Sequence, residues 1–277
     1  MKNRSLIRFL LLGGLLIISC KAVSITTSTP LPTEIIDTKG VTMRLVPAGK
    51  FSMGSENYNR EKPIHIVDLD AFYIDKYEVT NAAYKACVDE GECDPPKHTS
   101  SYTHDSYYGN SQFDDSPVIY VDWNQANAYC EWRGASLPTE AQWEKAARGD
   151  DGRTYPWGNT FNGTNVNFCD TNCSIDDADK NVDDGYADTA PVGSYESGKS
   201  PYGIYDMAGN VWEWVADWFD AYPGNTVSND FYGTKYRVLR GGSWARSDDL
   251  VRSALRVWDS PVINFNDIGF RCARSLP

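Results

Sequence analysis

The sequence has few methionines, histidines and basic residues. Its 277 residues include four Met and three His, and 26 Lys and Arg oppose 38 Asp and Glu, a formal net charge of −12. Proteins that bind the phosphate backbone of nucleic acids need a basic surface, so this balance argues against a nucleic-acid partner. The sequence also has no G-x-S-x-G nucleophile elbow and no glycine-rich phosphate loop. Its acidity instead favours hard cations such as calcium, which bind carboxylate and carbonyl oxygens.

Apolar runs of membrane-spanning length are absent, and a shorter run lies at the N-terminus. Three basic residues precede an apolar stretch at 9–18, which has the length of a signal-peptide core and is too short to span a bilayer. Residues 17–20 (IISC) resemble the lipobox of bacterial lipoproteins. This resemblance predicts a lipoprotein signal peptide at 1–19 and lipidation of Cys20, and an ordinary cleaved secretory signal is the alternative. Both place the protein outside the cytoplasm, in the first case anchored by lipid to the cell membrane or envelope.

The segment after the signal peptide differs in composition from the rest of the chain. Residues 23–32 are rich in Ser, Thr and Pro and show no apolar periodicity, which indicates a tether. We therefore assign residues 20–40 to the lipid anchor and tether. Residues 41–277 remain for a single folded domain, and the chain's 41% hydrophobic and 13% aromatic content is typical of a globular protein.

Zinc-type cysteine spacing is missing, because neither short cysteine pair has a second C-x-x-C or a histidine at ligand spacing. Setting Cys20 aside leaves six cysteines, an even number that predicts disulfides in an oxidising compartment. The spacing of the cysteines favours two disulfides that close short loops, and it leaves one pair of cysteines that are far apart in the sequence. The predicted bonds are Cys87–Cys93, Cys169–Cys173 and Cys130–Cys272. The third would close a loop of about 140 residues, and loop-closure entropy would contribute on the order of 5 kcal/mol.

Apolar periodicity predicts few helices and short strands. The predicted elements are a hairpin over 41–53, a strand over 64–79, helices beginning at Asn81, Trp123 and Thr139, and strands at VWEWV, RVLRGG and IGFRCA. Thr139 with Gln142 three residues later matches a capping box. Residues 149–201 show no periodicity, so a long irregular loop is predicted that side chains or ions must hold in place. The pattern predicts an α+β fold with short antiparallel strands.

Six motifs occur in a fixed order along the chain. They are AFYIDKYEVTNAAYKAC at 71–87, ASLPTEAQWEKAARG at 135–149, YPWGN at 155–159, GIYDMAGNVWEW at 203–214, LRGGSW at 239–244 and GFRCAR at 269–274. Together they resemble the formylglycine-generating enzyme (sulfatase-modifying factor) family over about residues 41–277. The resemblance implies an irregular, large C-type-lectin-like fold. It also implies a long disulfide from the helix before LPTE to GFRC, which is the Cys130–Cys272 pair.

The family resemblance further implies two structural calcium ions, bound by side-chain and backbone oxygens. One ligand set would be the side chains of Asn165 and Asp184 with the backbone oxygens of Val166 and Tyr186. The other would be the side chain of Asp206 with the backbone oxygens of Met207, Gly209 and Val211. Mixed carboxylate and carbonyl ligands suit calcium.

The sequence departs from the family's enzymes at their copper site. Those enzymes bind Cu(I) through two cysteines shortly after RGGS and use oxygen to oxidise a substrate cysteine to formylglycine. The corresponding stretch here, 244–252, contains no cysteine, and Arg or Asp cannot replace soft thiolates. We therefore expect neither copper nor copper oxidase activity, and assign no catalytic residue.

A related branch of the family, the ergothioneine-type sulfoxide synthases, binds non-haem iron through histidines. This chain has His65 near a predicted strand and His98 and His104 in one loop, and the latter two with Asp105 could form a facial triad. The alternative function is therefore a non-haem iron oxidoreductase that uses the same cleft. The competing interpretation of the loop is a polar, tyrosine-rich segment without metal.

The preferred interpretation is a lipid-anchored binding or recognition module for a protein or carbohydrate ligand at the cell surface. Arg246 and the neighbourhood of Trp214 are the predicted ligand contacts. An aromatic loop offers a second surface for sugar or peptide, with Tyr102, Tyr107, Tyr108 and Phe113. The third interpretation is a purely structural component of the envelope.

Overall fold

The computed structural model describes residues 30–175 and 178–276. The helices are α1 (Asn81–Asp89), α2 (Trp123–Trp132) and α3 (Glu140–Arg148). The strands are β1 (Glu34–Ile36), β2 (Thr42–Val46), β3 (Gly49–Met53), β4 (His65–Leu69), β5 (Phe72–Asp75), β6 (Trp212–Trp218), β7 (Arg237–Arg240), β8 (Arg256–Asp259), β9 (Ile268–Phe270) and β10 (Ala273–Ser275). Within the described ranges no helix is long and apolar enough to cross a membrane. The predicted signal peptide 1–19 and Cys20 lie outside them.

The first four-stranded sheet has the order β1-β2-β5-β10, and all its pairs are antiparallel. The predicted hairpin over 41–53 is wrong in its pairing, because β2 joins β1 and β5 while β3 pairs with β4 in a separate sheet. Gly49, the first residue of β3, lies at the point where the chain leaves the first sheet. Its φ of 131° is open to glycine and strained for other residues, so the chain changes direction instead of folding back.

Two further boundaries differ from the prediction. The strand predicted over 64–79 is two strands, β4 and β5, which belong to different sheets. Strand β1 lies inside the segment 20–40 assigned to the tether, and it pairs with β2 through residues 34–36. A strand this short carries too few residues to show an alternating pattern, so only its pairing reveals it.

The second four-stranded sheet has the order β8-β7-β6-β9, in which β6 and β9 run parallel and the other pairs are antiparallel. The predicted strand IGFRCA divides between the two sheets, with β9 in this one and β10 in the first. Arg271 and Cys272 therefore lie at the junction between the sheets, and both are fully buried. Strand β8 was not predicted, since its four residues begin and end with charged side chains.

The three predicted helices and disulfides are present. Thr139 and Gln142 form the predicted capping box at the start of α3. The Cys130–Cys272 bond joins α2 to the sheet junction across a sequence separation of 142 residues, while Cys87–Cys93 and Cys169–Cys173 close short loops. Three disulfides are consistent with an extracytoplasmic protein.

The two faces of the second sheet differ in chemistry. One face packs Trp214 and Phe270 against α1 and α2 in an apolar core. The opposite face meets α3 through buried ion pairs: Arg240 pairs with Glu144 at 2.5 Å, and Arg256 pairs with Glu140 at 2.7 Å. Alternation along a strand produces this division, and the apolar face continues into the cleft described next.

Candidate functional site

An open cleft lies at the margin of the apolar sheet face. Trp212, Leu239, Val257 and Ile268 form the floor of an open cleft of about 310 Å³ there. Phe265, half exposed, lines its edge. Each floor residue comes from a different strand, β6, β7, β8 and β9, so the floor is rigid and apolar.

Two arginines bring positive charge to the cleft. The Arg246 side chain is 44% exposed, and its Nη2 lies 3.5 Å from Oδ2 of Asp267. The Arg60 guanidinium lies 4.5 Å from the ring centre of Tyr58, and its Nε donates to the carbonyl of Arg256 at 2.7 Å. These contacts orient both side chains at the edge of the cleft.

Two carboxyl groups bring negative charge to the same cleft. Burial raises the pKa of both Asp259 and Asp267 above the ordinary value. Ser243 Oγ donates to Asp267 Oδ2 at 2.9 Å, and the Ser260 amide donates to Asp259 at 2.7 Å. An apolar floor with charges of both signs suits a ligand that combines apolar and polar groups, as a peptide segment does.

Trp214, predicted as the centre of a ligand surface, is fully buried. Its indole N–H donates to the carbonyl of Val121 at 3.1 Å, so it belongs to the core. Trp212 lies on the same face of β6 and lines the cleft instead. The alternation of VWEWV identifies the shared face but cannot tell which tryptophan the helices cover.

Of the charged residues between 246 and 256, only Arg246 lines the cleft. Arg252 forms a buried ion pair with Glu61 at 3.1 Å, and Arg256 pairs with Glu140 on the opposite face of the sheet. Asp249 accepts a hydrogen bond from Tyr58 at 3.1 Å. These side chains stabilise the fold around the cleft.

The cysteines do not fit a Cu(I) site. All six cysteines between 87 and 272 are disulfide-bonded, and a disulfide sulfur is not the thiolate that Cu(I) requires. The stretch 244–252, which corresponds to the copper-binding segment of the family's enzymes, makes structural contacts instead. Trp244 packs against Tyr102 with ring centres 5.1 Å apart, and the Arg246 carbonyl accepts a hydrogen bond from the Cys169 amide at 2.9 Å.

The iron triad of the alternative interpretation is not assembled. The His98 ring packs against Tyr120, and the His104 ring packs against Phe113, each at 4.6 Å between ring centres. His104 Nδ1 lies 2.7 Å from Thr103 Oγ1. Over residues 30–175 and 178–276 there is no group of three or more His, Cys, Asp or Glu side chains that could hold a metal ion.

The aromatic loop is mostly part of the core. Tyr107 is buried, and its hydroxyl donates to the carbonyl of Pro117 at 2.7 Å. Tyr108 packs against the core around Tyr84. Tyr102 is the exposed exception at 51%. His65, distant from this loop in sequence, packs against Tyr222.

The ligand set predicted around Asp206 lies in a buried acidic environment. Asp206 accepts the Gly193 amide at 2.7 Å, and burial raises its pKa to about 6. Glu78 and Glu213 lie close enough to Asp206 for their negative charges to interact with its carboxyl group. Arg271 is the nearby cation, and it pairs with Glu213 at 2.7 Å. Three buried carboxyl groups therefore lie near a single guanidinium, which leaves an excess of negative charge in this part of the interior.

Glu78 is the residue that sequence reasoning missed. It is buried, its carboxylate accepts the Val211 amide at 3.2 Å, and burial raises its pKa well above the usual range. Glu78 lies within the motif at 71–87, but nothing in the local pattern distinguishes it from a solvated glutamate before a helix.

The second predicted set is centred on Asp184. Its two carboxylate oxygens accept the amides of Phe168 and Tyr186, each at 2.9 Å, and burial raises its pKa to about 7. The fold thus brings Asp184 against the segment that follows Asn165 and Val166. Asp184 is half-buried, and within the described residues no guanidinium is among its hydrogen-bond partners.

The two predicted sets lie side by side. The Asn210 amide donates to the Asn167 carbonyl at 2.9 Å. A Cβ atom on Gly209 would lie 2.0 Å from that same carbonyl oxygen, so only glycine permits this approach. Loops 165–168 and 206–211 are therefore packed directly against each other.

Known proteins are similar to this chain in sequence and in fold. The sulfatase-modifying factor enzyme 1-like domain matches residues 31–276. Hercynine oxygenase of Mycolicibacterium smegmatis is 33% identical over 85% of this chain, which spans only 61% of that relative's length. Inactive C-alpha-formylglycine-generating enzyme 2 of Bos taurus is 30% identical over 87% of this chain and 90% of its own length.

A solved structure supports the same relationship. PvdO from Pseudomonas aeruginosa has a TM-score of 0.72 and 27% identity, covering 90% of this chain and 100% of its own. The described residues share the irregular α+β fold, with three helices and short, mainly antiparallel strands. The chain belongs to the sulfatase-modifying factor enzyme 1-like (formylglycine-generating enzyme) family.

Proposed function

We propose that this protein is a recognition module, anchored by lipid at Cys20, that binds a protein or carbohydrate ligand at the cell surface. The observation that carries the proposal is the open cleft with an apolar floor, Arg246 and Arg60 at its edge, and two partly buried carboxyl groups. Of the two ligand classes, a peptide segment suits this cleft better, because it offers apolar side chains with charges of both signs.

The domain acts without copper oxidase chemistry in this proposal. Formylglycine generation by the family's mechanism needs two thiolates. The six cysteines of the described domain are paired in three disulfide bonds. One relative that aligns over most of this chain carries the name of an inactive enzyme, which is a precedent for the fold without that activity. The cell-surface location rests on the lipobox-like IISC and the Ser/Thr/Pro tether.

Calcium is the proposed cofactor, with two structural ions. Asp206 and the backbone oxygens of Met207, Gly209 and Val211 would hold one ion. Asn165, Asp184 and the backbone oxygens of Val166 and Tyr186 would hold the other. When bound, calcium would neutralise buried carboxylates and fix loops that lack strand or helix hydrogen bonds.

To test the cleft, a library of displayed peptides is selected for binding to the full chain in detergent. We expect enriched peptides to lose at least about tenfold in affinity with Arg246→Ala, roughly 1.4 kcal/mol. Arg153→Ala is the matched control, because Arg153 also pairs with an aspartate, at 2.6 Å, but does not line the cleft. Absence of enrichment, or equal binding by Arg246→Ala, would contradict peptide recognition at this cleft.

Elemental analysis of the same protein, purified without chelator, separates the binding module from the oxidoreductase. Calcium near two ions per chain with neither iron nor copper supports the binding module. Stoichiometric iron that is lost on changing His98 and His104 to Ala would support the oxidoreductase instead. Stoichiometric copper would contradict the proposal directly.

A further inference from the structure

A second concavity, of about 460 Å³, lies at the YPWGN motif. It shares no lining residue with the cleft around Arg246. Its walls are formed by Trp157 and Phe161 on the aromatic side and by Asn159, Thr160, Asn162 and Asn165 on the polar side. None of the residues that line it is charged, which sets it apart from the cleft.

The aromatic side is fixed in place. Tyr155 stacks on Trp157 with ring centres 5.2 Å apart and planes within 7° of each other. Because Tyr155 covers one face of the indole and does not line the concavity, the indole surface that lines it is the remaining face or edge. The Trp157 N–H donates to the Thr160 carbonyl at 3.0 Å, so the ring cannot rotate freely.

The polar side is also oriented by internal hydrogen bonds. Asn159 Oδ1 accepts the Thr154 amide at 3.0 Å. Asn162 Oδ1 accepts both the amide and the hydroxyl of Thr164, at 3.1 and 2.8 Å. These bonds use the carbonyl end of each side-chain amide, and each amide NH₂ remains to donate two hydrogen bonds to a ligand.

The turn that presents Asn162 is tightly packed. A Cβ atom on the neighbouring Gly163 would lie 2.7 Å from Cγ1 of Val182, so the backbone sits directly on another segment. Phe161 is held from behind by Phe168, with ring centres 5.0 Å apart. The concavity therefore has its shape before any ligand binds, which lowers the entropic cost of binding.

We propose that this concavity binds a neutral saccharide with an all-equatorial pyranose ring, of the β-1,4-linked glucose or N-acetylglucosamine type. Such a ring has C–H bonds on both faces, which pack against an aromatic surface, and hydroxyl groups around its rim, which accept hydrogen bonds from the amide groups. No charged side chain lines the concavity, which favours a neutral ligand, and Asn165, a member of one proposed calcium set, contributes only an amide to its wall. The site is distinct from the cleft and does not depend on peptide binding there.

The experiment uses the full chain in a detergent without a sugar head group. Chitotriose and cellotriose are the probes, and binding is followed by saturation-transfer NMR and calorimetry. We expect at least one probe to bind with a Kd of about 1 mM or tighter, and Trp157→Ala to weaken it at least about tenfold. Trp132→Ala is the matched control and should leave saccharide binding unchanged, because Trp132 is also half-buried with a hydrogen-bonded N–H but lines neither the cleft nor this concavity.

A second variant keeps the test valid if loss of Trp157 disturbs the fold. Asn162→Asp retains an oxygen for the two Thr164 donors but replaces the NH₂ donor by an acceptor, so it should weaken binding while the melting temperature stays near that of the wild type. The proposal is overturned if neither probe binds at this level, if both variants bind as the wild type does, or if Trp132→Ala causes the same loss.

Discussion

At the scale of single residues, the domain depends on charges buried between α3 and the second sheet. Glu144 is fully buried. Its carboxylate forms ion pairs with Arg240 and, at 2.9 Å, with Arg148, and it accepts a hydrogen bond from the Gly54 amide at 2.7 Å. Arg240 and Arg256 face each other in the strand register, and like charges in that position repel unless each has a partner. Glu140 and Glu144, one helical turn apart, supply these partners.

The first prediction concerns Glu144→Gln. The substitution keeps the size of the side chain but leaves the Arg240 guanidinium without its 2.5 Å carboxylate partner in a buried site. We expect the free energy of unfolding to fall by about 3–5 kcal/mol, the usual cost of breaking one side of a buried pair. Denaturant unfolding followed by tryptophan fluorescence measures it.

The control for this prediction is Glu196→Gln. Glu196 also pairs with a basic residue, Lys199, but its side chain is 73% exposed, and exposed pairs contribute little. Its effect on the free energy of unfolding should therefore be small beside that of Glu144→Gln. Equal effects of the two substitutions would show that the buried network does not have the importance assigned to it here.

At the scale of elements, helix starts are the features most directly encoded. Thr139 accepts the Gln142 amide at 3.1 Å, and the Gln142 side chain accepts the Thr139 amide at 2.9 Å. Both bonds are made between residues three apart, so sequence spacing is sufficient to predict them. Strand pairing is different, as β2 and β3 demonstrate, because adjacent strands can join different sheets.

The second prediction is that Thr139→Ala destabilises the domain by about 1 kcal/mol, the usual cost of losing an N-cap side chain. The substitution removes the acceptor for the Gln142 amide and disconnects the reciprocal bond. Thermal unfolding by circular dichroism measures the effect. Thr226→Ala, exposed in the loop after β6, is the control and should be nearly neutral. A neutral result for Thr139→Ala would mean that packing of α3 alone fixes its first turn.

At the scale of the whole molecule, the long irregular segment between α3 and β6 is the main question of stability. It contains two short 3₁₀ turns, Gly163–Asn165 and Glu196–Gly198, and the Cys169–Cys173 disulfide. It also contains Asp184 and Asp206. Ions that bind only the folded form would stabilise the entire domain through this segment.

The third prediction is that removing calcium destabilises the domain. At calcium concentrations about 100-fold above Kd, each ion contributes about 2.7 kcal/mol, so excess EDTA should lower the melting temperature and restoring calcium should raise it again. Asp206→Asn and Asp184→Asn should each reduce the calcium-dependent shift. Asp151→Asn, a surface control whose residue pairs with Arg153, should not. A melting temperature indifferent to EDTA and calcium would contradict the proposed cofactor.

Local features of this protein follow from the sequence. The three helices, the capping box at Thr139 and the irregular character of 149–201 depend on spacing within a few residues. The three disulfides follow from an even cysteine count and two short loops. The six ordered motifs indicate the family, because together they extend over most of the chain.

Only the tertiary structure decides which residues can contact a ligand. Trp212 and Trp214 share one face of β6 and are both buried, but of the two only Trp212 lines the cleft. Arg246 lines the cleft, whereas Arg252 and Arg256 form buried ion pairs with Glu61 and Glu140. The physical reason is that strand alternation fixes the direction of a side chain, whereas its burial depends on segments that pack over it from distant parts of the chain.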